Sequence, residues 1–136
     1  MIAVPGGFLD SNVLVYAFTT DPRSAPARDL LARGCVTGVQ SLNEFANVAR
    51  RKLAMNWQET RDALDAIRSL CPAIVPLDIA THDDALVIAE QRGYGIFDAL
   101  IVAAALRAGC DTLWSEDMQD GAVIDSRLRI VNPFRI

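Results

Sequence analysis

Five acidic residues end or interrupt apolar segments of this chain, and their type and spacing could support chemistry. They are Asp10, Glu44, Asp98, Asp117 and Asp120. Two carboxylates about 4 Å apart repel each other by roughly 4 kcal/mol at an effective dielectric constant near 20, whereas a whole domain is stable by only about 5–15 kcal/mol. If folding brings the acids together, they therefore need bound protons or a cation. Mg²⁺ and Mn²⁺ are the expected cations, because they prefer carboxylate oxygens and water and leave positions for a phosphate group.

Other metal-binding residue types do not support a zinc site. His82 is the only histidine, and the three cysteines, Cys35, Cys71 and Cys110, lie far apart without a CxxC pair. Zinc sites use clustered histidine and cysteine ligands. An odd number of cysteines without ligand spacing is typical of small buried thiols in a reducing compartment.

Short β-like runs alternate with helical patterns, which predicts an α/β fold with a central, mostly parallel sheet. The predicted strands cover residues 8–9, 35–39, 73–77, 112–114 and 128–131. The predicted helices cover residues 11–18, 24–33, 41–54, 57–70, 81–92 and 99–109. The run 99–106 lacks a polar face, so we expect the last helix to be buried nearly all round. One domain, residues 1–136, accounts for the chain.

Helix starts are predicted from two capping-box signatures, Ser41 with Glu44 and Asn56 with Glu59. Thr81 and Asp84 are expected to open the next helix, and Gly93 is expected to end it.

The predicted topology would bring the acids together. Ligands of open α/β sheets bind outside the carboxyl ends of the strands, and Asp10 and Asp117 directly follow two strands. Glu44 and Asp98 lie near the starts of helices that follow loops at the same edge. Each acid also has an ordinary interpretation: Asp10 and Asp98 as helix N-caps, Glu44 in its capping box, Asp117 and Asp120 in turns. These interpretations do not explain why so many apolar segments end in acids.

Composition limits the functional class. The chain has 136 residues, 51% of them hydrophobic and 22% charged, as in a folded domain. No apolar run approaches the roughly 20 residues that span a bilayer, and the start lacks a basic segment, so we expect a cytoplasmic protein without a membrane partner. A formal charge of −4 argues against a generic nucleic-acid binder, but not against an enzyme that holds phosphate through a bound cation.

Four segments resemble, in order, the motifs of PIN-domain ribonucleases. They are FLDSNVLVYA (residues 8–17), SLNEF (41–45), FDALIVAAA (97–105) and LWSEDMQDG (113–121). The chain length is similar to that of the VapC-type toxins of toxin–antitoxin pairs. The resemblance implies a PIN-like three-layer α/β/α fold and a Mg²⁺- or Mn²⁺-dependent endoribonuclease. It also implies a homodimer that is held inactive by a cognate antitoxin protein and that acts on an RNA substrate.

By motif position, the resemblance assigns metal binding and catalysis to four acids, Asp10, Glu44, Asp98 and Asp117. Asp120 is an additional or substitute metal ligand, and whether it or Asp117 is the principal fourth acid stays open. Asn12 and Ser115 match polar positions that orient ligands or waters. One metal ion or two would fit the same residues.

Two other functions compete with the nuclease. The first is a catalytically inactive PIN scaffold that only binds a partner, although all four acidic positions are present. The second is a phosphotransfer or receiver-like domain, which would need a lysine late in the chain, whereas Lys52 is the only lysine. The basic run 50–52 and Trp57 could contact RNA, but a solvated helix end explains the basic run equally simply.

Overall fold

The computed structural model describes residues 7–135. The helices in this range are α1 (Ser11–Tyr16), α2 (Ser24–Ala32), α3 (Val39–Arg51), α4 (Trp57–Leu70), α5 (Ile79–Arg92) and α6 (Ile96–Arg107). The strands are β1 (Phe8–Leu9), β2 (Thr37–Gly38), β3 (Ile74–Val75), β4 (Thr112–Trp114), β5 (Val123–Ile124) and β6 (Leu128–Val131).

A mostly parallel sheet forms the centre. One part has the order β1-β4-β6-β5 and the other pairs β2 with β3. A parallel bridge between Phe8 and Val36 joins the two parts, which places β1 in the middle. Only β5 runs antiparallel to its neighbour among the described strand pairs. The predicted mostly parallel sheet is confirmed.

The side chains of β1 and β4 alternate between two hydrophobic cores, as the pleat of a strand requires. Phe8 and Leu113 pack with residues of α5 and α6. Leu9 packs with residues of α1 to α4, and Trp114 lies against the same cluster. Helices therefore cover both faces of the sheet, and the expected three-layer α/β/α architecture is confirmed.

Several local predictions are also confirmed. The Asn56–Glu59 capping box begins α4, since each side chain accepts a hydrogen bond from the other residue's backbone N–H. Gly93 ends α5 with a left-handed φ of 72°. The middle of α6, residues 99–105, is buried on all sides. The three cysteines are buried free thiols, and burial raises the pKa of Cys71 to about 12.

Three predicted helix starts are wrong. Helix α3 begins at Val39, after Gly38, and Ser41 is not its cap. Helix α5 begins at Ile79, because Asp78 rather than Thr81 caps it. Helix α6 begins two residues before Asp98, which lies in its first turn.

The short strand β5 was not predicted. Within residues 7–135, no helix is both long and apolar enough to cross a bilayer.

Candidate active site

Strands β1 and β4 bring together two distant polar residues. The strands are parallel neighbours, with Leu9 opposite Trp114, so the next residues, Asp10 and Ser115, leave the sheet side by side. The Asp10 backbone N–H donates to the Trp114 carbonyl over 3.0 Å, and Ser115 Oγ donates to Asp10 Oδ2 over 2.7 Å. The sheet edge thus holds one buried carboxylate in a fixed orientation.

Two buried hydroxyl groups hold the end of β1 in place by hydrogen bonds. Thr37 Oγ1 and Ser41 Oγ both donate to the Leu9 carbonyl, over 2.9 Å and 3.3 Å. Both hydroxyl-bearing residues are fully buried. This contact explains why Ser41 lies inside α3 rather than at its start: its hydroxyl anchors the strand that carries Asp10.

Ser11 connects Asp10 to Glu44. Its backbone N–H donates to Asp10 Oδ1 over 2.6 Å, and its Oγ donates to Glu44 Oε1 over 2.8 Å. Gln40 Nε2 donates to the other oxygen of Glu44 over 2.9 Å. Glu44 is therefore held by side chains of α1 and α3, and it does not form the predicted capping box.

Asn12 connects Asp10 to the segment after β4. Its Oδ1 accepts from the Glu116 backbone N–H over 3.2 Å. Its Nδ2 donates to Asp117 Oδ2 over 3.1 Å and to Asp10 Oδ2 over 3.4 Å. Two adjacent residues of α1 thus link three carboxylates from distant parts of the sequence: Ser11 links Asp10 to Glu44, and Asn12 links Asp10 to Asp117.

Asp98 completes the acidic group from α6. It lines the same cleft as Glu44, between α3 and the first turn of α6, with a volume of about 390 Å³. Partial burial raises the pKa of Asp98, and the nearby charges of Glu44 and Asp117 raise it further.

Among these acids, Asp10 has the most strongly shifted pKa. Burial raises its pKa from the ordinary 3.8 to about 6, against the hydrogen bonds from Ser115 and Ser11, which lower it; the charges of Glu44 and Asp98 raise it further. Only 3% of Asp10 is exposed. A carboxylate this buried is costly to ionise without a positive partner.

Asp120 lies outside this group. Its Oδ1 accepts from the Asn132 backbone N–H over 2.8 Å, and its Oδ2 is 3.3 Å from Arg135 Nη1. Hydrogen bonds therefore connect Asp10, Glu44 and Asp117, Asp98 lines the cleft beside Glu44, and the fifth predicted acid, Asp120, contacts the C-terminal segment instead.

The comparisons identify the family. The family model of the PIN domain matches residues 7–119. The chain belongs to the PIN-domain family. The expected family is thus confirmed, and the receiver-like alternative is excluded. The match ends at residue 119, so the assignment of residues 1–136 to one domain stays a prediction.

Solved structures share the PIN fold. VapC20 of Mycobacterium tuberculosis, described as a sarcin-ricin loop cleaving toxin, is 21% identical with a TM-score of 0.64, over 81% of this chain and 88% of that chain. A toxin–antitoxin complex from Klebsiella pneumoniae is 19% identical with a TM-score of 0.70, over 96% and 99% of the two chains. VapBC2 from Rickettsia felis, bound to a promoter DNA fragment, is 23% identical with a TM-score of 0.64, over 90% and 95%. At these identities the likeness shows the fold. No curated protein matches the sequence.

A second polar network lies beside the acidic group of Asp10, Glu44, Asp98 and Asp117, and it was not predicted from the sequence. Glu116 Oε1 accepts from the Tyr16 hydroxyl over 3.0 Å, and Glu116 Oε2 accepts from Arg23 Nε over 2.7 Å. Arg23 also pairs with Asp21 and lies 5.0 Å from the centre of the Tyr16 ring. Glu116 stands within the fourth motif, but its partners are about 100 residues away in sequence, so no local pattern reveals them.

The oxygen atoms of the acidic group are suitable ligands for a hard divalent cation. The four acids offer carboxylate oxygens, with the Ser115 hydroxyl beside Asp10, and Mg²⁺ and Mn²⁺ favour such ligands. Among residues 7–135, no three His, Cys, Asp or Glu side chains are arranged as a closed metal-binding group. Ser11, Asn12 and Ser115 donate to the carboxylate oxygens instead. Binding an ion would exchange some of these hydrogen bonds for metal–oxygen bonds.

The side chains of the remaining candidates make other contacts or are exposed. Arg50 donates to the Met55 carbonyl over 2.8 Å and stacks over Trp57, 4.3 Å from the ring centre. His82 is exposed on α5. Trp114 packs against the core, as expected for a residue of a central strand.

Proposed function

We propose that this chain is a Mg²⁺- or Mn²⁺-dependent endoribonuclease and the toxin of a toxin–antitoxin pair. One observation carries the proposal: Ser11 and Asn12 join the carboxylates of Asp10, Glu44 and Asp117 at the carboxyl edge of a parallel sheet. Stability alone does not call for this arrangement, because like charges in one place oppose folding. A site that binds a cation and a phosphodiester does call for it.

Four residues would hold the metal: Asp10, Glu44, Asp98 and Asp117. When bound, the cation supplies an activated water and stabilises negative charge on the leaving oxygen during in-line displacement. Ser115 and Ser11 orient the Asp10 carboxylate through their hydrogen bonds. Asn12 holds the Asp117 carboxylate toward Asp10.

Asp120 enters the proposal only as a substitute ligand. Its two oxygens would first have to leave Asn132 and Arg135. The present contacts therefore favour Asp117 as the principal fourth acid.

The proposed partners follow from the family and its neighbours. The structural neighbours include toxin–antitoxin complexes and a toxin that cleaves the sarcin-ricin loop. For this chain we propose RNA as the substrate, a small cognate antitoxin as the inhibitor, a homodimer as the assembly and the cytoplasm as the location.

A cleavage assay with matched variants tests the proposal. The full chain is incubated with single-stranded RNA in EDTA, Mg²⁺ or Mn²⁺, and metal binding is measured by calorimetry. Loss of an outer-shell partner reduces metal affinity or activity by about 10- to 100-fold, so Asp98→Asn should reduce cleavage at least about 100-fold. Asp83→Asn is the control, because Asp83 is an exposed acid on α5.

Three results would contradict the proposal. Cleavage in EDTA at the rate seen with metal would exclude the metal. Cleavage by Asp98→Asn at the wild-type rate would exclude the proposed role of the acids in catalysis. Metal binding without any RNA cleavage would favour the inactive scaffold instead. The toxin assignment is tested separately: expression of the wild type should arrest bacterial growth, and expression of Asp98→Asn should not.

A further inference from the structure

The cleft beside the acidic group has an unusual mixture of side chains. Helix α3 contributes Gln40, Asn43, Glu44 and Asn47 to one wall, and the first turn of α6 contributes Phe97 and Asp98 to the other. Its volume of about 390 Å³ lies within the range of small-ligand sites, roughly 300–1,000 Å³. The cleft combines one aromatic ring, three amides and two carboxylates.

Phe97 is the most exposed of the five phenylalanines. It is 64% exposed, while the other four phenylalanines are buried or half-buried: Phe8, Phe18, Phe45 and Phe134. Residues 99–105, which follow Asp98 on α6, are buried, so the Phe97 ring is exposed at the N-terminal end of an otherwise buried part of the helix. The exposed Phe97 ring therefore lines the cleft beside Glu44 and Asp98.

The opposite wall presents amide groups with unused hydrogen-bonding capacity. Asn43 and Asn47 lie one turn apart on α3, so their side chains share a face. Gln40 donates to Glu44, but neither asparagine side chain has a hydrogen bond within the part of the chain that the structure describes. Each amide offers both a donor and an acceptor, which is the pattern needed to contact the edge of a nucleobase.

We propose that this cleft binds one unpaired RNA base next to the phosphate that the acids cleave, with Phe97 stacked on the base and Asn43 and Asn47 contacting its edge. The proposal rests on the proposed nuclease function. Single-stranded RNA is commonly recognised in this way, by stacking on an aromatic ring and hydrogen bonds to base edges. The other side chains of the cleft, Gln40, Asn43, Asn47 and Phe97, carry no positive charge, so this part of the cleft favours an uncharged base over a second phosphate.

A base fits the cleft better than a protein partner does. The centre of a protein interface is usually apolar and depleted of charged residues, whereas this cleft has one apolar ring among carboxylates and amides. Other exposed apolar side chains, such as Ile79 and Val87, lie on α5.

The test combines protein variants with abasic substrates. Wild-type cleavage of a randomised single-stranded RNA 12-mer is mapped by sequencing, and the best 12-mer is then made with an abasic site on either side of the cut. Base stacking on an aromatic ring is worth enough that Phe97→Ala should raise KM about 10-fold on the intact 12-mer, with little change in kcat. On the 12-mer lacking the stacked base, Phe97→Ala should change nothing.

Four further variants sharpen the test. Phe97→Tyr keeps a stacking ring and should retain the wild-type KM. Asn43→Ala and Asn47→Ala should flatten the base preference seen in the sequencing map. Leu70→Ala is the control, because Leu70 is another exposed apolar residue, 45% exposed and outside the cleft, and it should leave KM unchanged.

The outcomes separate this inference from the proposed function. If the wild type cuts no RNA, the nuclease proposal fails, and binding of the labelled randomised 12-mer is measured by fluorescence anisotropy. Weaker binding by Phe97→Ala then keeps the cleft as an RNA site, and equal or absent binding overturns it. If cleavage occurs, an unchanged KM in Phe97→Ala, or an equal rise on intact and abasic RNA, overturns the inference. Loss of self-association without any change in KM would assign Phe97 to a protein interface and overturn it as well.

Discussion

Replacing Asp10 with asparagine removes a buried negative charge while preserving most of the local geometry. The side-chain oxygen can still accept from the Ser11 N–H, as Asp10 Oδ1 does over 2.6 Å. The new amide nitrogen would face Ser115 Oγ, which now donates to Asp10 Oδ2 over 2.7 Å, and this hydroxyl can rotate to accept instead. Without metal, we therefore expect Asp10→Asn to stabilise the protein at neutral pH.

The size of this stabilisation and its dependence on pH follow from the pKa of Asp10. Burial raises this pKa from 3.8 to about 6, and each unit corresponds to about 1.4 kcal/mol, so the ionised carboxylate destabilises the folded state by about 3 kcal/mol. Weaker hydrogen bonds in the variant offset about 1 kcal/mol. The net stabilisation is about 2 kcal/mol at pH 7.5, and it should raise Tm by about 5–10 °C.

The direction of the pH dependence follows from whether the folded or the unfolded chain holds the proton of Asp10. Between pH 3.8 and about 6 the folded wild type keeps a proton on Asp10 that the unfolded chain releases, so this residue makes stability fall as pH rises through that window. Above it the contribution is constant. The advantage of Asp10→Asn should therefore be small near pH 4, grow toward pH 6 and then level off.

Denaturant titrations in EDTA at pH 4, 5, 6 and 7.5 measure this difference, with Asp83→Asn as a control for removal of an exposed acid. A further series adds Mg²⁺. Saturation at about 100 times Kd should stabilise the wild type by about 2.7 kcal/mol and stabilise Asp10→Asn less. The reasoning is refuted if Asp10→Asn is less stable than the wild type at pH 7.5 in EDTA, or if the difference between them is the same at pH 4.

Three other variants test the scaffold of the site. Gly7→Ala should destabilise by at least about 2 kcal/mol in urea titrations, because φ is 80° and the added Cβ would lie 2.6 Å from the Thr112 carbonyl oxygen; wild-type stability would contradict this. Asn56→Ala should cost about 1 kcal/mol through loss of the α4 cap, and an unchanged urea midpoint would show that the cap contributes nothing. Arg23→Ala frees Glu116 beside Asp117 and should slow RNA cleavage about 10-fold, with little change in Tm; an unchanged rate would mean that the network does not position the segment.

The sequence predicts the elements with strong periodic or capping signals. Helix α4 has a capping box whose two hydrogen bonds both form, and α5 ends at a glycine with positive φ. Strand β5, which is two residues long, was missed. The turn that follows it uses Asp125 and Ser126 with φ of 53° and 56°, without the glycine that usually marks a tight hairpin.

The meeting of Asp10 and Asp117 could be predicted from the sequence, with Asn12 and Ser115 beside them, but the contacts of Ser11 and Arg23 could not. Asp10 and Asp117 follow neighbouring parallel strands, and topology alone brings such positions together. The Ser11–Glu44 and Arg23–Glu116 contacts depend on how α1 and α2 pack beside α3 and the segment after β4. Nothing in the local sequence near Arg23 indicates a carboxylate partner 93 positions away.

The start of α3 shows how tertiary contacts override a local signature. The pattern of Ser41 followed by Glu44 is that of a capping box, yet the helix begins earlier, after Gly38. A side chain at Gly38 would press on the Phe8 ring, with its Cβ 3.1 Å away, so glycine lets α3 start close to β1. The extra turn carries the Ser41 hydroxyl under the Leu9 carbonyl and brings Glu44 within reach of Ser11.

The two interpretations of Asp10 are compatible, because a carboxylate has two oxygens. Oδ1 caps α1 by accepting from the Ser11 N–H, and Oδ2 receives Ser115 and faces Asn12. A cap requires only the first oxygen, which asparagine also provides. The second oxygen and the negative charge serve no structural purpose that an amide could not serve. If Asp10→Asn keeps the helix, gains stability without metal and loses cleavage, the charge is present for chemistry rather than for folding.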